Sequence, residues 1–335
     1  MTRVSAPGTD CRKSLYRVFL WQALLCVVAL TPPGLNAQQY ATRPVRFIVG
    51  FPPGTPVDSV ARMVGERLTV KWGQPVIVEN RVGAAGNIGT EAVARAEPDG
   101  YTLLFTVPTF VINPLLYQKL PFDASRFVPL TVIATFPNIL VVHPRVSAAS
   151  VRDLIALAQK NPDRLNYAST GAGSTLHLTA EMFKSMAGGL KIAHVPYKGG
   201  GPMQTAMLAG EVEIAFFNPA GVLPDIRAGK LKALAVTSER RFVSLPDTPT
   251  MSEILPGFVS VSWWGVLAPP KTPMPIAEKL SAEIAETLKQ PRIAKFLADI
   301  SVDPVGSTPA EMAVFLKKEA ERWSSVIRAA GVKVD

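Results

Sequence analysis

The sequence has few cysteines and few histidines, and their positions exclude several kinds of chemistry. Both cysteines, Cys11 and Cys26, lie close to the beginning of the chain. The remainder therefore has no disulfide or thiol to stabilise it and must depend on a hydrophobic core. The three histidines, His143, His177 and His194, lack the local spacing of a metal site. We accordingly predict neither a metal nor another cofactor.

Beyond residue 37, the chain lacks an apolar run long enough to cross a bilayer. Residues 3–17 carry four basic side chains and one acid, and an apolar stretch follows over residues 18–30. This order, with a small residue at Ala37, is typical of a signal peptide, so we predict cleavage there and export to a bacterial periplasm. Leu35 is an imperfect cleavage residue, and an uncleaved N-terminal anchor is the alternative. Cys26 follows Leu25, which argues against a lipoprotein.

Clusters of like charge are also missing. Removal of residues 1–37 would leave 298 residues and lower the formal net charge from +9 to +6. The basic excess is spread along the chain, which makes nucleic acid a poor candidate partner and anionic solutes a better one. A chain of this length can form two domains, each with its own core.

The stretch from Val45 to Leu68 predicts a buried strand that leads directly into a helix. Thr55, Pro56 and Asp58 form a helix start, with a hydroxyl at the N-cap, proline at the first helical position and a carboxylate in the first turn. The unpaired N–H groups and the dipole of such a start attract an anion. A well-capped connection that binds nothing is the plainer alternative.

Strand and helix patterns alternate in two blocks. Strands are predicted at 45–51, 75–79 and 101–107 in the first block and at 165–169, 192–195, 212–217 and 231–236 in the second. This alternation predicts mainly parallel sheets with crossover helices. The glycines at 83, 86 and 89 follow G-x-x-G-x-x-G rather than the dinucleotide fingerprint, so a nucleotide is not expected.

Two segments are predicted to connect the two blocks. Residues 127–143 contain two apolar runs broken by Pro137, and residues 259–268 form a strand, followed by helices to the end of the chain. We therefore predict a two-lobed α/β fold, with lobe 1 at 38–138 plus 262–335 and lobe 2 at 139–261. A ligand is expected in the cleft, where the loops beyond the strand ends converge.

Residues 165–179 repeat the order of strand, glycine turn and helix start. Ser169, Thr170, Ser174 and Thr175 provide hydroxyl groups, and Gly171 lets the backbone approach a ligand closely. One such turn in each lobe is what a carboxylate-binding cleft requires.

The spacing of Ser174 and His177 raises a hydrolase as an alternative. The sequence around Ser174 does not satisfy G-x-S-x-G, and a serine and a histidine on one helix cannot readily form a catalytic triad. We therefore predict that the protein is not an enzyme.

Seven ordered blocks span nearly all of the predicted mature chain: RPVRFIVGFPPG (43–54), GQPVIVENRVGAAGNIGTEAVARAEPDGYTLLF (73–105), LNYASTGAGSTLHL (165–178), HVPYKGGGP (194–202), IRAGKLKALAVTSERR (226–241), LPDTPTMSE (245–253) and GVLAPPKTPMP (265–275). In these blocks, the chain resembles the substrate-binding receptors of the tripartite tricarboxylate transporters, also called the Bug family. The resemblance implies a type II periplasmic-binding-protein fold that closes on a small carboxylated solute.

The resemblance also implies the partners and the ligand residues. The partners would be membrane transporter subunits or, if the receptor senses rather than transports, an extracytoplasmic sensor domain; we expect a monomer. The residues assigned to the ligand are Phe51, Pro53, Gly54 and Thr55 in one lobe, Ser169, Thr170, Gly171, Ser174 and Thr175 in the other, and, less strongly, Thr106 and Pro108.

Two positions depart from the family pattern. Thr55 stands where the family usually has glycine, which adds a hydroxyl at one end of the ligand. Phe217 stands where the family often has an acid. If Phe217 faces the cleft, the far end of the ligand is apolar or aromatic; the alternative is that Phe217 packs inside the lobe.

Overall fold

Two β-sheets flanked by helices make up the fold in this computed structural model, which describes residues 2–3 and 41–332. The predicted signal peptide lies outside the described residues, apart from Thr2 and Arg3. Both sheets belong to the compact unit that starts at Arg43. Within the described ranges, no helix has the length and apolar character needed to cross a membrane.

The described residues contain eleven strands and ten α-helices. The strands are β1 (Val45–Val49), β2 (Val76–Asn80), β3 (Thr102–Thr106), β4 (Val128–Pro137), β5 (Ile139–Val142), β6 (Asn166–Ser169), β7 (Ala193–Pro196), β8 (Ile214–Phe217), β9 (Lys232–Val236), β10 (Val261–Ala268) and β11 (Asp303–Pro304). The helices are α1 (Pro56–Trp72), α2 (Asn87–Ala94), α3 (Thr109–Leu116), α4 (Val151–Lys160), α5 (Thr175–Met186), α6 (Gly200–Ala209), α7 (Pro219–Arg227), α8 (Met274–Leu288), α9 (Pro291–Asp299) and α10 (Pro309–Ala330).

The first sheet has the strand order β11-β4-β10-β3-β1-β2. β1 pairs in parallel with β2 and β3, as the strand and helix alternation predicts. β10 returns from the second half of the chain and pairs antiparallel with both β3 and β4. β1 is buried except at Arg46, so the centre of this sheet lies in the core.

The second sheet has the order β7-β6-β8-β5-β9. β6 is parallel to β7 and β8, whereas β5 pairs antiparallel with β8 and β9. β5 therefore runs against the other four strands, because it is the strand that enters from the first sheet. The predicted two-lobed α/β fold is confirmed, and the entering strands make both sheets mixed.

Short sequence signals set the helix ends. α10 begins with the predicted capping box, in which Thr308 and Glu311 exchange side-chain and backbone hydrogen bonds. α1 has Thr55 as its N-cap and Gly73 as its C-cap. The left-handed φ of 66° at Gly73 allows its N–H to reach Thr69 O. Thr55 is the N-cap, as predicted, but its hydroxyl makes no capping hydrogen bond and instead donates to Pro52 O at 2.8 Å.

The helix α3 is not predicted by the sequence pattern. Pro114 lies inside it and argues against a helix when the sequence is read alone. Four of its eight residues, Phe110, Val111, Ile112 and Leu116, are buried apolar residues, and their packing outweighs the low helix propensity.

A buried polar cluster joins the two sheets where the chain crosses between them. Asn138 is the single residue between β4 and β5, Thr237 follows β9, and Ser260 precedes β10. The N–H of Asn138 donates to Thr237 Oγ1 at 2.7 Å, and the N–H of Ser260 donates to Thr237 O at 3.0 Å. Ser260 Oγ lies 2.6 Å from Thr179 Oγ1 on α5. The crossings are thus hydrogen-bonded to each other and to α5.

Candidate ligand-binding site

A cavity of about 400 Å³ lies where loops of both sheets converge. From the second sheet it is lined by the turn after β6, by the start of α5 and by the residue after β8. These residues are Thr170, Gly171, Ala172, Gly173, Ser174, Thr175, Leu176 and Asn218. The lining from the first sheet consists of Phe51, Ala85, Val107, Pro108, Thr109, Asn113, Leu116, Tyr117, Phe136, Ser262, Trp263 and Trp264.

The turn between β6 and α5 presents hydrogen-bond donors to this cavity. Ser174 caps α5, and its Oγ accepts from the N–H of His177 at 3.2 Å. The N–H groups of Thr175 and Leu176, at the first two helical positions, make no hydrogen bond to other described residues. Because such groups point out of the helix start and carry the positive end of its dipole, they can bind an anion.

Two neutral side chains beneath the turn fix its shape. The buried N–H of Gly173 donates to His177 Nδ1 at 3.0 Å, and the N–H of Gly171 donates to Ser169 Oγ at 3.1 Å. Ser169 is fully buried, and its Oγ lies 2.7 Å from Nε2 of His194. The turn is therefore held from below by groups that do not occupy the cavity.

His177 and His194 stack with Tyr167 in the second lobe, where Tyr167 and His177 are buried and His194 is half-buried. The two imidazole centroids are 4.1 Å apart, and the Tyr167 ring lies 4.8 Å from that of His194. Burial and the neighbouring His194 lower the pKa of His177 to about 4, and burial likewise lowers the pKa of His194. His177 is therefore neutral near pH 7, and its Nδ1 lone pair is free to accept from Gly173.

Two charged side chains, Glu181 and Lys184, lie on one side of this stack. Glu181 accepts from the hydroxyl of Tyr167 and from Lys184 Nζ, and it lies 4.0 Å from Nε2 of His177. Burial and the Glu181 carboxylate raise the pKa of Tyr167. Nδ1 of His177 accepts a hydrogen bond from the N–H of Gly173. The imidazole proton is therefore on Nε2, which faces the Glu181 carboxylate.

The geometry does not favour the hydrolase alternative. The ring of His177 bonds to Gly173, while Ser174 Oγ receives the backbone N–H of His177 rather than its ring. Ser169 and His194 form a serine–histidine pair, but Ser169 is fully buried and does not line the cavity. A nucleophile must reach its substrate, and Ser169 has no such access.

Phe51 is positioned by close backbone contacts in the first lobe. A Cβ on Gly50 would lie 2.9 Å from the Cα of Gly86, and Gly86 has a left-handed φ of 92°, where a side chain is strained. The backbone carbonyl of Phe51 accepts from Asn80 Nδ2 at 2.9 Å. The glycine-rich turn before α2 therefore packs against the end of β1 and directs Phe51 to the cavity.

The start of α1 already contains a carboxylate from the chain itself. Asp58 is 2% exposed, and its carboxylate accepts from the N–H of Gly54 at 2.9 Å, from Arg62 at 3.0 Å and from Asn80 Nδ2 at 2.8 Å. Burial alone would raise the pKa of Asp58, but the hydrogen bonds from Arg62, Asn80 and Gly54 outweigh it and hold the pKa below its usual value. Asp58 therefore supplies the negative charge that we expected from a ligand.

The predicted site residues fall into two groups. Phe51, Pro108, Thr170, Gly171, Ser174 and Thr175 line the cavity. Pro53, Gly54, Thr55, Thr106, Ser169 and Phe217 are not among its lining residues. Pro53 and Gly54 are exposed, Thr106 and Ser169 are buried beneath the loops, and Thr55 bonds to Pro52.

Phe217 packs inside the second lobe. It is 3% exposed, belongs to the hydrophobic core and pairs with Ile139 across β8 and β5. The hypothesis that it faces the cleft is therefore not supported by the structure. The next residue, Asn218, lies at the cavity instead, and its side chain makes no hydrogen bond at the start of α7.

Sequence reasoning missed most of the cavity wall from the first lobe. Thr109, Asn113, Leu116 and Tyr117 come from α3 and its end, and that helix was not expected. Phe136, Trp263 and Trp264 come from the two crossing strands and meet only when β4 and β10 pair. The adjacent tryptophans were the one signal in the sequence, because large aromatic residues often line ligand pockets.

The cavity lining is free of formal charge. Within residues 2–3 and 41–332, no aspartate, glutamate, lysine, arginine or histidine lines it. The same ranges contain no group of three histidine, cysteine or acidic side chains placed to hold a metal ion. Hydrogen bonds from neutral groups and contact with aromatic rings are therefore what the described site offers a ligand.

Comparison with known proteins gives consistent results. The model of the "Tripartite tricarboxylate transporter family receptor" matches residues 60–332. Protein BugT of Bordetella pertussis is 36% identical over 304 residues, which are 90% of this chain and 93% of BugT.

Two solved structures from Rhodopseudomonas palustris are similar over most of their length. Rpa4515 with adipate is 36% identical, with a TM-score of 0.77, and the match covers 88% of this chain and 99% of that one. MatC (Rpa3494) with bound malate is 30% identical, with a TM-score of 0.73 and coverage of 86% and 100%. The family model, the relative and the structures agree with the fold described above, and the chain belongs to the tripartite tricarboxylate transporter receptor family.

Proposed function

We propose that the protein is a periplasmic solute-binding receptor that holds a small carboxylated compound in this cavity and delivers it to a tripartite tricarboxylate-type transporter. The observation that carries the proposal is the turn from Thr170 to Leu176. It lines the cavity with hydroxyl and backbone N–H groups at the start of the 12-residue helix α5. A carboxylate would satisfy these donors.

Neutral donors suit a receptor that must release its ligand. A carboxylate held by N–H and hydroxyl groups gains charge-assisted hydrogen bonds without a buried counter-ion. Removing a charged partner from water would add a desolvation cost and tie the site to one arrangement of charges. The adipate and malate in the two related structures support a carboxylate as the ligand class.

We further propose that the ligand is enclosed between lobes with the predicted limits, 38–138 plus 262–335 and 139–261. The sheet assignments support these limits, because β4 ends at Pro137 in one sheet and β5 begins at Ile139 in the other. The return crossing lies between β9 and β10, next to Ser260.

Binding is tested by calorimetric titration of the mature protein with adipate, malate, hexanoate and 3-phenylpropanoate. We expect saturable binding of one molecule per chain for at least one of them. The matching neutral amides, which keep the shape but not the negative charge, serve as controls and should not bind. Absence of binding by every carboxylate in the series would overturn the receptor proposal.

Delivery is tested in the cell by deletion of the gene and measurement of uptake of the ligand identified by calorimetry. We expect uptake to fall to background and to return when the gene is restored. Uptake that continues at the original rate would contradict a role in transport and favour sensing.

A further inference from the structure

The two sides of the cavity differ in chemistry. The second lobe contributes small and polar groups along Thr170–Leu176, together with the amide of Asn218. The first lobe contributes mainly large apolar residues, with Phe51 after β1, Tyr117 after α3 and Trp264 in β10. A ligand that fits both sides has one polar end and one apolar end.

The apolar side is built from rings that pack on each other. The rings of Phe136 and Trp264 have centroids 5.1 Å apart at an interplanar angle of 57°. Both residues are at least nine-tenths buried, while Phe51 and Tyr117 are half-buried and keep ring surface free. Aromatic rings prefer tilted or offset contact with other rings, so this wall favours an apolar or aromatic group.

The charged groups that a more polar ligand would need are missing from the described lining. An ammonium group would require a carboxylate, and a second carboxylate would require a second set of donors or a basic side chain. Neither an acidic nor a basic residue of the described ranges lines the cavity. An ion moved from water into such a place loses hydration without gaining a partner.

Resting on the receptor function proposed above, we propose that the ligand is a monocarboxylate with an apolar, preferentially aromatic, body. Its carboxylate faces the turn at Thr170–Leu176, and its body packs against Phe51, Tyr117, Phe136 and Trp264. The apolar end that we first assigned to Phe217 is thus provided by the first lobe. The cavity of about 400 Å³ has room for a ring and a short side chain.

Two matched pairs of ligands test this inference on the unmodified protein. 3-Phenylpropanoate and phenylalanine share a skeleton and differ by the ammonium group, while hexanoate and adipate share a chain and differ by the second carboxylate. In calorimetry, we expect the monocarboxylate of each pair to bind about tenfold or more tightly than its partner, because the added charge stays unpaired. We also expect 3-phenylpropanoate to bind more tightly than hexanoate.

A single variant reverses the expected preference. Asn218 is exposed at the cavity and its amide caps nothing, so Asn218→Asp should preserve the fold while it adds one negative charge to the lining. We expect this variant to bind 3-phenylpropanoate about tenfold more weakly and phenylalanine more tightly. Gln290→Glu, which adds the same charge at the residue before α9, outside the cavity lining, and keeps the acceptor for Arg67, is the control and should change neither affinity appreciably.

The outcomes separate this inference from the proposed function. If adipate or malate binds and neither monocarboxylate does, the receptor function stands and the inference is wrong. If phenylalanine binds as tightly as 3-phenylpropanoate, the inference is also wrong. If no carboxylate binds, both proposals fail together.

Discussion

The turn after β1 and the turn after β6 share one sequence pattern, in which a buried strand is followed by a glycine and a hydroxyl residue at the start of a helix. Their structures differ. At α1, Pro56 removes one helical N–H and the buried carboxylate of Asp58 binds the N–H of Gly54. At α5, the first turn contains no acidic side chain, and the turn lines the cavity.

The difference shows how the same local pattern can be used in two ways. In the first turn, a charge of the chain occupies the helix start and stabilises the fold. In the second, neutral groups hold the turn from below and leave the helix start to a ligand. Ser169 and His177 perform that task, and neither is charged near pH 7. The negative charge at the start of α1 thus comes from the chain itself, whereas the start of α5 has no such charge and lines the cavity.

The largest expected effect is a loss of stability in Asp58→Ala. The substitution removes a buried carboxylate together with its hydrogen bonds to Gly54, Arg62 and Asn80, and we expect the free energy of unfolding to fall by about 3 kcal/mol in urea denaturation. Since none of these residues lines the cavity, affinity for the tightest carboxylate should change less than about threefold.

Asp153 provides the matched control for Asp58. It occupies the same third position of α4 and accepts from the N–H of Ala149 at 3.1 Å, but its side chain is exposed. Asp153→Ala should therefore cost clearly less stability than Asp58→Ala. Equal losses would show that burial at the start of α1 is unimportant and would contradict the comparison.

The second effect concerns His177, whose side chain supports the turn between β6 and α5. His177→Phe keeps a ring in the stack but leaves the buried N–H of Gly173 without an acceptor, so we expect a loss of about 2 kcal/mol in stability and a weaker ligand affinity. In the control, His143→Phe removes a similar contact to the N–H of Arg145, outside the cavity lining. The His143→Phe variant should keep its ligand affinity. If His177→Phe also keeps full affinity, His177 does not position the turn.

The third effect is a dependence of stability on pH. The pKa of His177 is lowered to about 4 from an ordinary value of 6.5, so the unfolded chain binds more protons than the folded one between these values. The free energy of unfolding should therefore fall as the pH is lowered from 6.5 towards 4, by about 1–2 kcal/mol at pH 5. His194 adds to the slope in the same direction, since burial lowers its pKa as well.

The pH dependence is measured by urea denaturation at several pH values for the unmodified protein and for His177→Phe. Carboxylates with lowered pKa values, such as Asp58, lose their contribution at lower pH and add little above pH 5. The slope between pH 6.5 and 5 should be reduced in the variant. An unchanged slope would assign the effect to other groups.

The smallest expected effect compares two serine caps. Ser174 Oγ accepts from the N–H of His177 at 3.2 Å, and Ser150 Oγ accepts from the N–H of Asp153 at 3.1 Å. Each substitution by alanine should lower stability by about 1 kcal/mol. Only Ser174→Ala should also weaken ligand binding in calorimetry, because only Ser174 lines the cavity. Equal affinities in the two variants would remove Ser174 from the site.

The turn between β6 and α5 could be predicted from the sequence because its signals are local. Glycines, hydroxyl residues and a strong N-cap lie within a few residues of each other, and the structure forms the helix at Ser174 as expected. The turn after β1 has equally good local signals, yet its outcome also depends on Asn80, which reaches Asp58 from the end of β2. Local reasoning can predict the i,i+4 pair of Asp58 and Arg62 but not the contact with Asn80, which depends on how β2 pairs.

The aromatic residues that line the cavity illustrate a different limit of prediction from sequence. Phe136 and Trp264 are far apart in the chain, and they meet because β10 pairs antiparallel with β4. The sequence predicts a strand at each place but not their partner or register, which depend on contacts over the whole sheet. Phe217 illustrates a related limit, since all four residues of β8 are buried and alternation along the strand could not decide between the cleft and the interior of the lobe.

The sequence by itself determined the family, the two α/β blocks and the polar turn before α5, because these follow from ordered motifs, hydrophobic periodicity and capping residues. The tertiary structure alone decided which helix start lines the cavity and which side chains face it. Those outcomes depend on long-range pairing of β4 with β10 and on the partners that reach Asp58. Local patterns specify secondary structure, whereas the environment of a side chain is set by residues distant in the chain.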